Sequence, residues 1–248
     1  MMDIRIVVYQ TPELLVSATA ARLITALTDV QAERGAASLV LTGGRTGIAV
    51  LGEVRNSLAR DAVDWSNVDF YWGDERFLPA GHPDRNETQA RQALLDHVPV
   101  SLKRVHAMEP SDGAYGDSPE TAADAYDALL AEHGQGSVPT FDICLLGVGE
   151  EGHTASIFPD SPAVHETERT VVAVRNCPKP PPTRISLTLP AIRKALEVWL
   201  MTTGESKAEV LTEARKDADE VRLPIAGARG QECTRWLLDQ AAASHIAG

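Results

Sequence analysis

A histidine that follows a glycine-rich turn is the most chemically suggestive residue in this chain of 248 residues. The apolar segment 141–146 predicts a buried strand, and the sequence GVGEEG connects it to His153. Ligands bind outside the carboxyl ends of strands in open α/β sheets, so we expect chemistry at His153. Its imidazole titrates near neutral pH, and the neighbouring Glu151 carboxylate can fix the tautomer and raise the pKa. The competing interpretation is a lone structural histidine.

The sequence GVGEEG also matches the G-x-G-x-x-G pattern of dinucleotide-binding folds. That pattern requires a full helix after the last glycine, whereas Pro159 and Pro162 end any helix early. Glu150 and Glu151 also place negative charge where a pyrophosphate would approach. The sequence therefore argues against a dinucleotide cofactor.

A second candidate site is the turn between a short predicted strand and the helix that follows it. Thr42, Gly43, Gly44, Arg45 and Thr46 form this turn. Free N–H groups at a helix start attract anions, and the hydroxyls and the guanidinium would add to that attraction. The turn predicts a phosphate site, and the competing interpretation is a tight turn whose threonines only cap the helix. It is not a Walker A loop, because GxxxxGK[ST] is absent.

Charged residues at further strand boundaries could hold the rest of a ligand. Asp74 and Arg76 follow a predicted strand and could position a polyhydroxylated molecule, although a solvated turn with a local ion pair is favoured for these residues alone. Lys207 is predicted in a first helical turn, where the macrodipole disfavours a cation unless an anion is shared. Arg184, just before another predicted strand, is a further anion-binding candidate.

Alternating strand and helix patterns supply the scaffold for these residues. The alternation predicts an α/β layered fold with a largely parallel sheet, in a single domain over residues 1–248. Strands are predicted at 4–9, 38–41, 68–72, 141–146, 171–174, 185–189, 198–201 and 236–238, and helices at 12–34, 48–60, 86–97, 118–133, 205–215 and 239–245.

The composition limits the classes of function. A net charge of -12 argues against nucleic acid or an anionic membrane as a partner, because both require a basic surface. The three cysteines lie far apart, and no histidine pair has HxH or HExxH spacing, so neither disulfides nor a metal site are predicted. We find no signal peptide and no long apolar run, which predicts a cytoplasmic protein. The oligomeric state stays open, with a monomer favoured.

Several motifs, taken together, resemble the 6-phosphogluconolactonase family. They run through most of the chain in the family's order: LTGGRTG, YWGDERFLP, LLGVGEEGHTASIFP, KPPPTRISLTLP, MTTGESKAEVL and WLLDQAA. The resemblance implies a Rossmann-like α/β core with a small additional lobe, a fold shared with glucosamine-6-phosphate deaminases. It also implies hydrolysis of 6-phospho-D-glucono-1,5-lactone to 6-phospho-D-gluconate in the oxidative pentose phosphate pathway, with no cofactor.

A catalytic scheme follows from this resemblance. His153 would be the general base that activates water, and Glu151 would orient its ring. Arg76 would stabilise the oxyanion or help to hold the phosphate. Three residues depart from the family pattern: Arg45 and Gly47 stand where a small hydroxyl residue and a proline are usual, and Glu151 replaces an aspartate.

The same resemblance places the substrate's phosphate and sugar. The phosphate would bind the backbone of residues 42–44 with Thr46 and Lys207, and Arg184 would join them. Asp74 would contact sugar hydroxyls.

Two other functions compete with lactone hydrolysis. A glucosamine-6-phosphate deaminase-type isomerase would need a base at a sugar carbon, and Asp74 could serve. A sugar-phosphate-binding protein without catalysis would bind the ligand and leave it unchanged. Release of ammonia from glucosamine-6-phosphate, or tight binding without turnover, would distinguish these alternatives.

Overall fold

The computed structural model describes residues 3–216 and 218–246. Its strands are β1 (Asp3–Tyr9), β2 (Ala37–Leu41), β3 (Val68–Trp72), β4 (Asp74–Arg76), β5 (Ile143–Gly147), β6 (Val171–Val174), β7 (Arg184–Leu187), β8 (Glu197–Thr202) and β9 (Cys233–Asp239). Its helices are α1 (Pro12–Arg34), α2 (Gly44–Asn56), α3 (Asn86–Ala93), α4 (Pro119–His133), α5 (Leu189–Ile192), α6 (Ala208–Ala214) and α7 (Pro224–Gly227). Within the described residues, no helix has both the length and the apolarity needed to cross a membrane.

Six strands form a parallel sheet in the order β1-β9-β8-β5-β2-β3. From β2 the chain passes through α2 to β3 on one side, whereas from β5 it continues to β8 on the other side. The carboxyl ends of β2 and β5 therefore flank a topological switch point, which is where open α/β sheets bind ligands.

The central strand β5 is buried, as its apolar sequence predicts. Ile143, Cys144, Leu145 and Leu146 are each at most 2% exposed. A strand covered on both faces needs a continuous apolar sequence, because neither face meets water. This burial holds β5 in place, and β5 leads directly into the turn that carries His153.

A smaller antiparallel sheet of three strands, in the order β4-β7-β6, forms the additional lobe. β4 follows β3 after the single residue Gly73, whose N–H donates to the carbonyl oxygen of Leu41 at the end of β2 (2.9 Å). The small sheet is therefore attached at the carboxyl edge of the large one, next to the switch point.

The predicted α/β class, parallel sheet and additional lobe are confirmed. The expected helix at 239–245 is wrong: residues 240–246 form turns, in which the Asp239 carboxylate accepts a hydrogen bond from Ala242 N (2.7 Å). The expectation of a solvated turn after β3 is also wrong, because residues 74–76 form β4 and Asp74 is only 5% exposed. A strand of three residues is too short for a periodic pattern to reveal.

Candidate active site

The segments that follow β2, β3, β5 and β8 enclose a cavity of about 420 Å³, here called the main cavity. Most of the predicted site residues share its wall. It is lined by Thr42, Gly43, Gly44, Arg45, Asp74, Arg76, Asn86, Gly147, Val148, Gly149, Glu150, His153, Ala155, Lys179, Arg184 and Lys207. The two predicted residues outside this lining are Glu151, which lies behind His153, and Thr46.

The turn after β5 holds His153 firmly. Gly149 N donates to the carbonyl oxygen of His153 (2.9 Å), and Gly152 N donates to that of Gly149 (3.0 Å). The ring of Phe158 stacks on the imidazole, with 4.3 Å between the ring centroids. Burial lowers the pKa of His153 below its ordinary value. The neutral imidazole, which can accept a proton, is therefore the form present at neutral pH.

A carboxylate and an ammonium group adjoin this imidazole. Glu151 Oε2 lies 3.2 Å from His153 Nδ1, within ion-pair distance, although the alignment is not that of a hydrogen bond. Lys179 Nζ donates to the same Oε2 at 2.8 Å. Burial raises the pKa of Glu151, but the Lys179 hydrogen bond and the nearby His153 outweigh it and hold that pKa below its usual range. On His153 the two charges act in opposite directions: Glu151 raises its pKa and Lys179 lowers it.

The turn after β2 brings a helix start to the main cavity. Gly43 is the N-cap of α2, and no side chain of the described residues caps it, so the threonines do not play the capping role considered above. Gly44 has φ of +80°, a conformation that favours glycine. The N–H groups of the first helical turn therefore have no side-chain acceptor and are available to an anion. Arg45 and Lys207 add two cations to this part of the wall.

Thr46 faces a smaller pocket of about 160 Å³ beside the main cavity. Its Oγ1 lies 3.4 Å from Thr203 Oγ1. The pocket shares Gly44, Arg45 and Lys207 with the main cavity. The predicted hydroxyl is thus next to the turn after β2 and outside the lining of the main cavity.

The small sheet supplies Asp74, Arg76 and Arg184. In the β4–β7 register Arg76 lies directly opposite Arg184. Like charges opposite each other destabilise a sheet unless something offsets them. Asp74 Oδ2, 3.7 Å from Arg184 Nη1, is one such group, and an anionic ligand would be another.

Arg184 is occupied mainly by the proline-rich loop before β7. Its Nε donates to Pro181 O (2.9 Å), and its Nη2 donates to the carbonyl oxygens of Lys179 and Pro180 (both 3.1 Å). Burial lowers the pKa of Arg184, against the influence of Asp74. The guanidinium therefore holds the loop that carries Lys179 toward Glu151.

Two residues of the cavity wall were missed by the sequence interpretation. Lys179 lies in the KPPPTRISLTLP motif, but nothing in its spacing separates it from a solvated lysine. Asn86 begins α3, and its Nδ2 donates to the backbone oxygen of Asp74 (2.8 Å) and to Asp74 Oδ1 (3.2 Å). Both contacts join segments distant in the chain, and no local pattern encodes them.

A larger cavity of about 560 Å³ lies beside α1, at the amino ends of β5, β8 and β9. Three of its charged side chains take part in structural contacts: Arg235 Nε donates to Glu197 (2.8 Å), and Asp142 accepts from Ser38 N (2.7 Å). Across the described ranges, no cluster of three or more His, Cys, Asp or Glu side chains is placed to hold a metal ion. The chemistry-bearing residues are concentrated at the main cavity.

Fold and cavity together define an α/β protein with a half-buried histidine and a glycine-rich helix start at the switch point of its sheet. Residues 10–236 match the family described as glucosamine-6-phosphate isomerases/6-phosphogluconolactonase. The chain belongs to this family.

Relatives that carry the second of these names cover nearly the whole chain. A 6-phosphogluconolactonase of Streptomyces coelicolor is 57% identical over 98% of this chain and 94% of its own length. That of Mycobacterium leprae is 45% identical over the full length of both chains. The solved structure of the 6-phosphogluconolactonase from Trypanosoma brucei superimposes with a TM-score of 0.85 at 28% identity, covering 100% of both chains. The resemblance drawn from the sequence motifs is confirmed.

Proposed function

We propose that this protein hydrolyses 6-phospho-D-glucono-1,5-lactone to 6-phospho-D-gluconate. The observation that carries the proposal is the main cavity, whose wall contains both a half-buried neutral histidine and a helix start flanked by two cations. A substrate in which a sugar ring joins a phosphate to an electrophilic carbonyl fits this cavity: the helix start matches the phosphate, and the histidine matches the carbonyl. The relatives named above support the same activity.

His153 acts as the general base. Glu151, beside Nδ1, favours the tautomer protonated there, so the Nε2 lone pair is left to take a proton from water. The water oxygen attacks C1 of the lactone, and the bond between C1 and the ring oxygen then breaks. The protonated imidazole returns its proton to that ring oxygen, so His153 ends the cycle neutral. A positioned histidine contributes about 10²–10⁴-fold in such a step.

Arg76 stabilises the negative charge that develops on the carbonyl oxygen during the attack. Its Nη1 is tied to the carbonyl oxygen of Asp84 (2.7 Å), whereas its buried Nε has no hydrogen-bond partner in the described part of the chain. A held guanidinium with an unused donor is suited to an oxyanion, because it needs little reorganisation during the reaction. Asp74, on the same strand, contacts sugar hydroxyls.

The phosphate binds at the start of α2. The backbone of residues 42–44 supplies N–H groups, and Lys207 and Arg45 supply charge from two sides. Thr46 supports this turn from the adjoining pocket. Arg184 acts as a positioning residue for the loop of Lys179.

Hydrolysis of the lactone, generated in situ from glucose-6-phosphate by a dehydrogenase, tests the proposal. The rate with the protein should exceed the spontaneous rate, and His153→Ala should lose most of kcat while remaining folded. Ammonia release from glucosamine-6-phosphate is measured in parallel. A lactone rate equal to the spontaneous one would reject the proposal, and ammonia release would redirect it to deaminase chemistry.

A further inference from the structure

Asn86 has an amide whose orientation is fixed by its partners. The residue is 1% exposed and lines the main cavity. Its Nδ2 donates to two oxygen atoms of Asp74, at 2.8 and 3.2 Å. Reversing the amide would set its oxygen against two oxygens, so Oδ1 must be the atom on the other side.

That oxygen is a buried acceptor without a donor. Within the described residues Asn86 Oδ1 has no hydrogen-bond partner. It lies against the backbone of Gly43, where a Cβ would come within 1.9 Å of it. Buried polar atoms are nearly always hydrogen-bonded, so an unpaired acceptor in a cavity wall indicates a donor supplied by the ligand.

Hydrogen bonds to and around Asn86 hold its side chain in this position. Its backbone N–H donates to Glu75 Oε1 (2.7 Å), and Glu75 Oε2 accepts from Glu87 N (2.9 Å), so a buried carboxylate anchors the start of α3. Ser156 Oγ donates to Asp74 Oδ2 (2.6 Å) and fixes the partner carboxylate. Gly43, in the turn after β2, lies next to Oδ1, and any side chain there would collide with it.

We propose that Asn86 is a specificity-determining residue whose Oδ1 accepts a hydrogen bond from the C4 hydroxyl of the sugar ring. This inference rests on the proposed function, because it takes the substrate to be a phosphorylated lactone. Gly43 belongs to the phosphate turn, and the C4 hydroxyl is the ring hydroxyl nearest to the phosphate-bearing carbon. A C4 epimer, which directs this hydroxyl to the other face of the ring, is therefore discriminated against.

The test compares the parent lactone with its 4-deoxy analogue for the wild type, Asn86→Ala and Ser156→Ala. With the parent lactone, Asn86→Ala should lower kcat/KM about 5- to 20-fold, the range of one or two hydrogen bonds. With the 4-deoxy lactone the loss caused by Asn86→Ala should be smaller by about 3- to 10-fold, because only the hydrogen bonds from Asn86 to Asp74 are then lost. Ser156→Ala removes a different hydrogen bond to Asp74 and should affect both lactones by the same factor.

Each other outcome contradicts part of the scheme. Equal losses on both lactones in Asn86→Ala would overturn the contact and leave only a role in holding Asp74. If Asn86→Ala does not fold, Asn86→Ser replaces it, since a hydroxyl still reaches polar neighbours in the same space. Wild-type protein that does not hydrolyse the parent lactone would reject the proposed function itself, and the Asn86 contact with it.

Discussion

The surroundings of His153, the proposed general base, set its protonation state. Burial favours the neutral ring, Glu151 favours the protonated ring, and Lys179 opposes Glu151. The net result is a pKa below the ordinary histidine value, so the base is already deprotonated at neutral pH. A general base is lost as pH falls through its pKa, so the acidic limb of kcat/KM should lie below the pH expected for an unperturbed histidine.

Replacing Glu151 or Lys179 by a neutral residue should shift the acidic limb of the kcat/KM profile, in opposite directions for the two residues. Glu151→Gln removes the charge that raises the pKa of His153, so the limb should shift to lower pH. Lys179→Met removes a charge that lowers this pKa, so the limb should shift to higher pH. The measurement is kcat/KM against pH for the three proteins, with the spontaneous hydrolysis subtracted at each pH.

Shifts of the same sign in both variants would contradict this electrostatic assignment. Lys103→Met is the matched control for Lys179→Met, because it removes the same charge from an exposed position outside the lining of the main cavity. Its profile should coincide with that of the wild type.

At the scale of elements, the turn after β5 depends more on Gly149 than on Gly147. A Cβ at Gly149 would lie 1.9 Å from His153 Nδ1 and 2.9 Å from Glu151 Oε2, whereas one at Gly147 would meet no atom within 4 Å. Gly149→Ala should therefore displace the imidazole, and a displacement of about 1 Å can lower a rate about 100-fold. Gly147→Ala should leave the imidazole in place, and because Gly147 lines the main cavity, any effect should fall on KM more than on kcat.

Steady-state kinetics of the two variants, with circular dichroism to confirm folding, checks this prediction. Similar activities for Gly149→Ala and Gly147→Ala would show that the turn does not set the position of His153. A loss of kcat confined to Gly149→Ala, with the fold intact, would place the effect at the imidazole.

The sequence predicts those helices and strands whose ends carry local signals. It misses contacts between separate segments, because no local signal marks them. α1 has Thr11, whose side chain accepts from Leu14 N, Pro12 in its first turn and Gly35 at its end with φ of +78°, and its predicted bounds agree with the structure. α2 begins at Gly44, four residues before its predicted start, because two glycines disguise the first helical turn. Helix propensity is a weak signal at such a glycine-rich start.

The candidate site was predictable to a similar extent. Residues such as His153 and Lys207 stand next to strand ends and glycines, so a parallel sheet brings them to one edge. Lys179 and Asn86 reach the site through the proline-rich loop and through α3. The Lys179–Glu151 contact spans 28 residues and the Asn86–Asp74 contact spans 12, so neither follows from a local sequence pattern.

For the whole molecule, the net charge opposes the substrate. A chain with a charge of -12 repels a phosphorylated anion at long range, so binding depends on the few cations of the cavity. Lys207→Ala should raise KM about 10- to 100-fold, the effect of losing one charge-assisted hydrogen bond to the phosphate. Lys103→Ala changes the net charge equally but lies outside the main cavity, and it should leave KM within about twofold.

KM and kcat are measured for Lys207→Ala and Lys103→Ala. The comparison decides whether substrate binding depends on the cation in the cavity or on the total charge of the protein. Equal increases in KM would assign the effect to the total charge of the protein. A drop in kcat without a change in KM would move Lys207 from the phosphate to the reacting carbonyl.

Ligand binding should also stabilise the whole fold, because the cavity is lined by residues that both sheets position. A ligand that binds only the folded chain adds RT ln(1 + [L]/Kd), about 2.7 kcal/mol at a hundredfold excess over Kd. For a chain of this size each kcal/mol raises Tm by about 2–4 °C, so 6-phosphogluconate at that excess should raise Tm by about 5–10 °C. Gluconate lacks the phosphate and should shift Tm by less than about 1 °C at the same concentration. Differential scanning calorimetry with wild type and Lys207→Ala measures both effects, and an equal shift by gluconate would mean that the start of α2 is not the phosphate site.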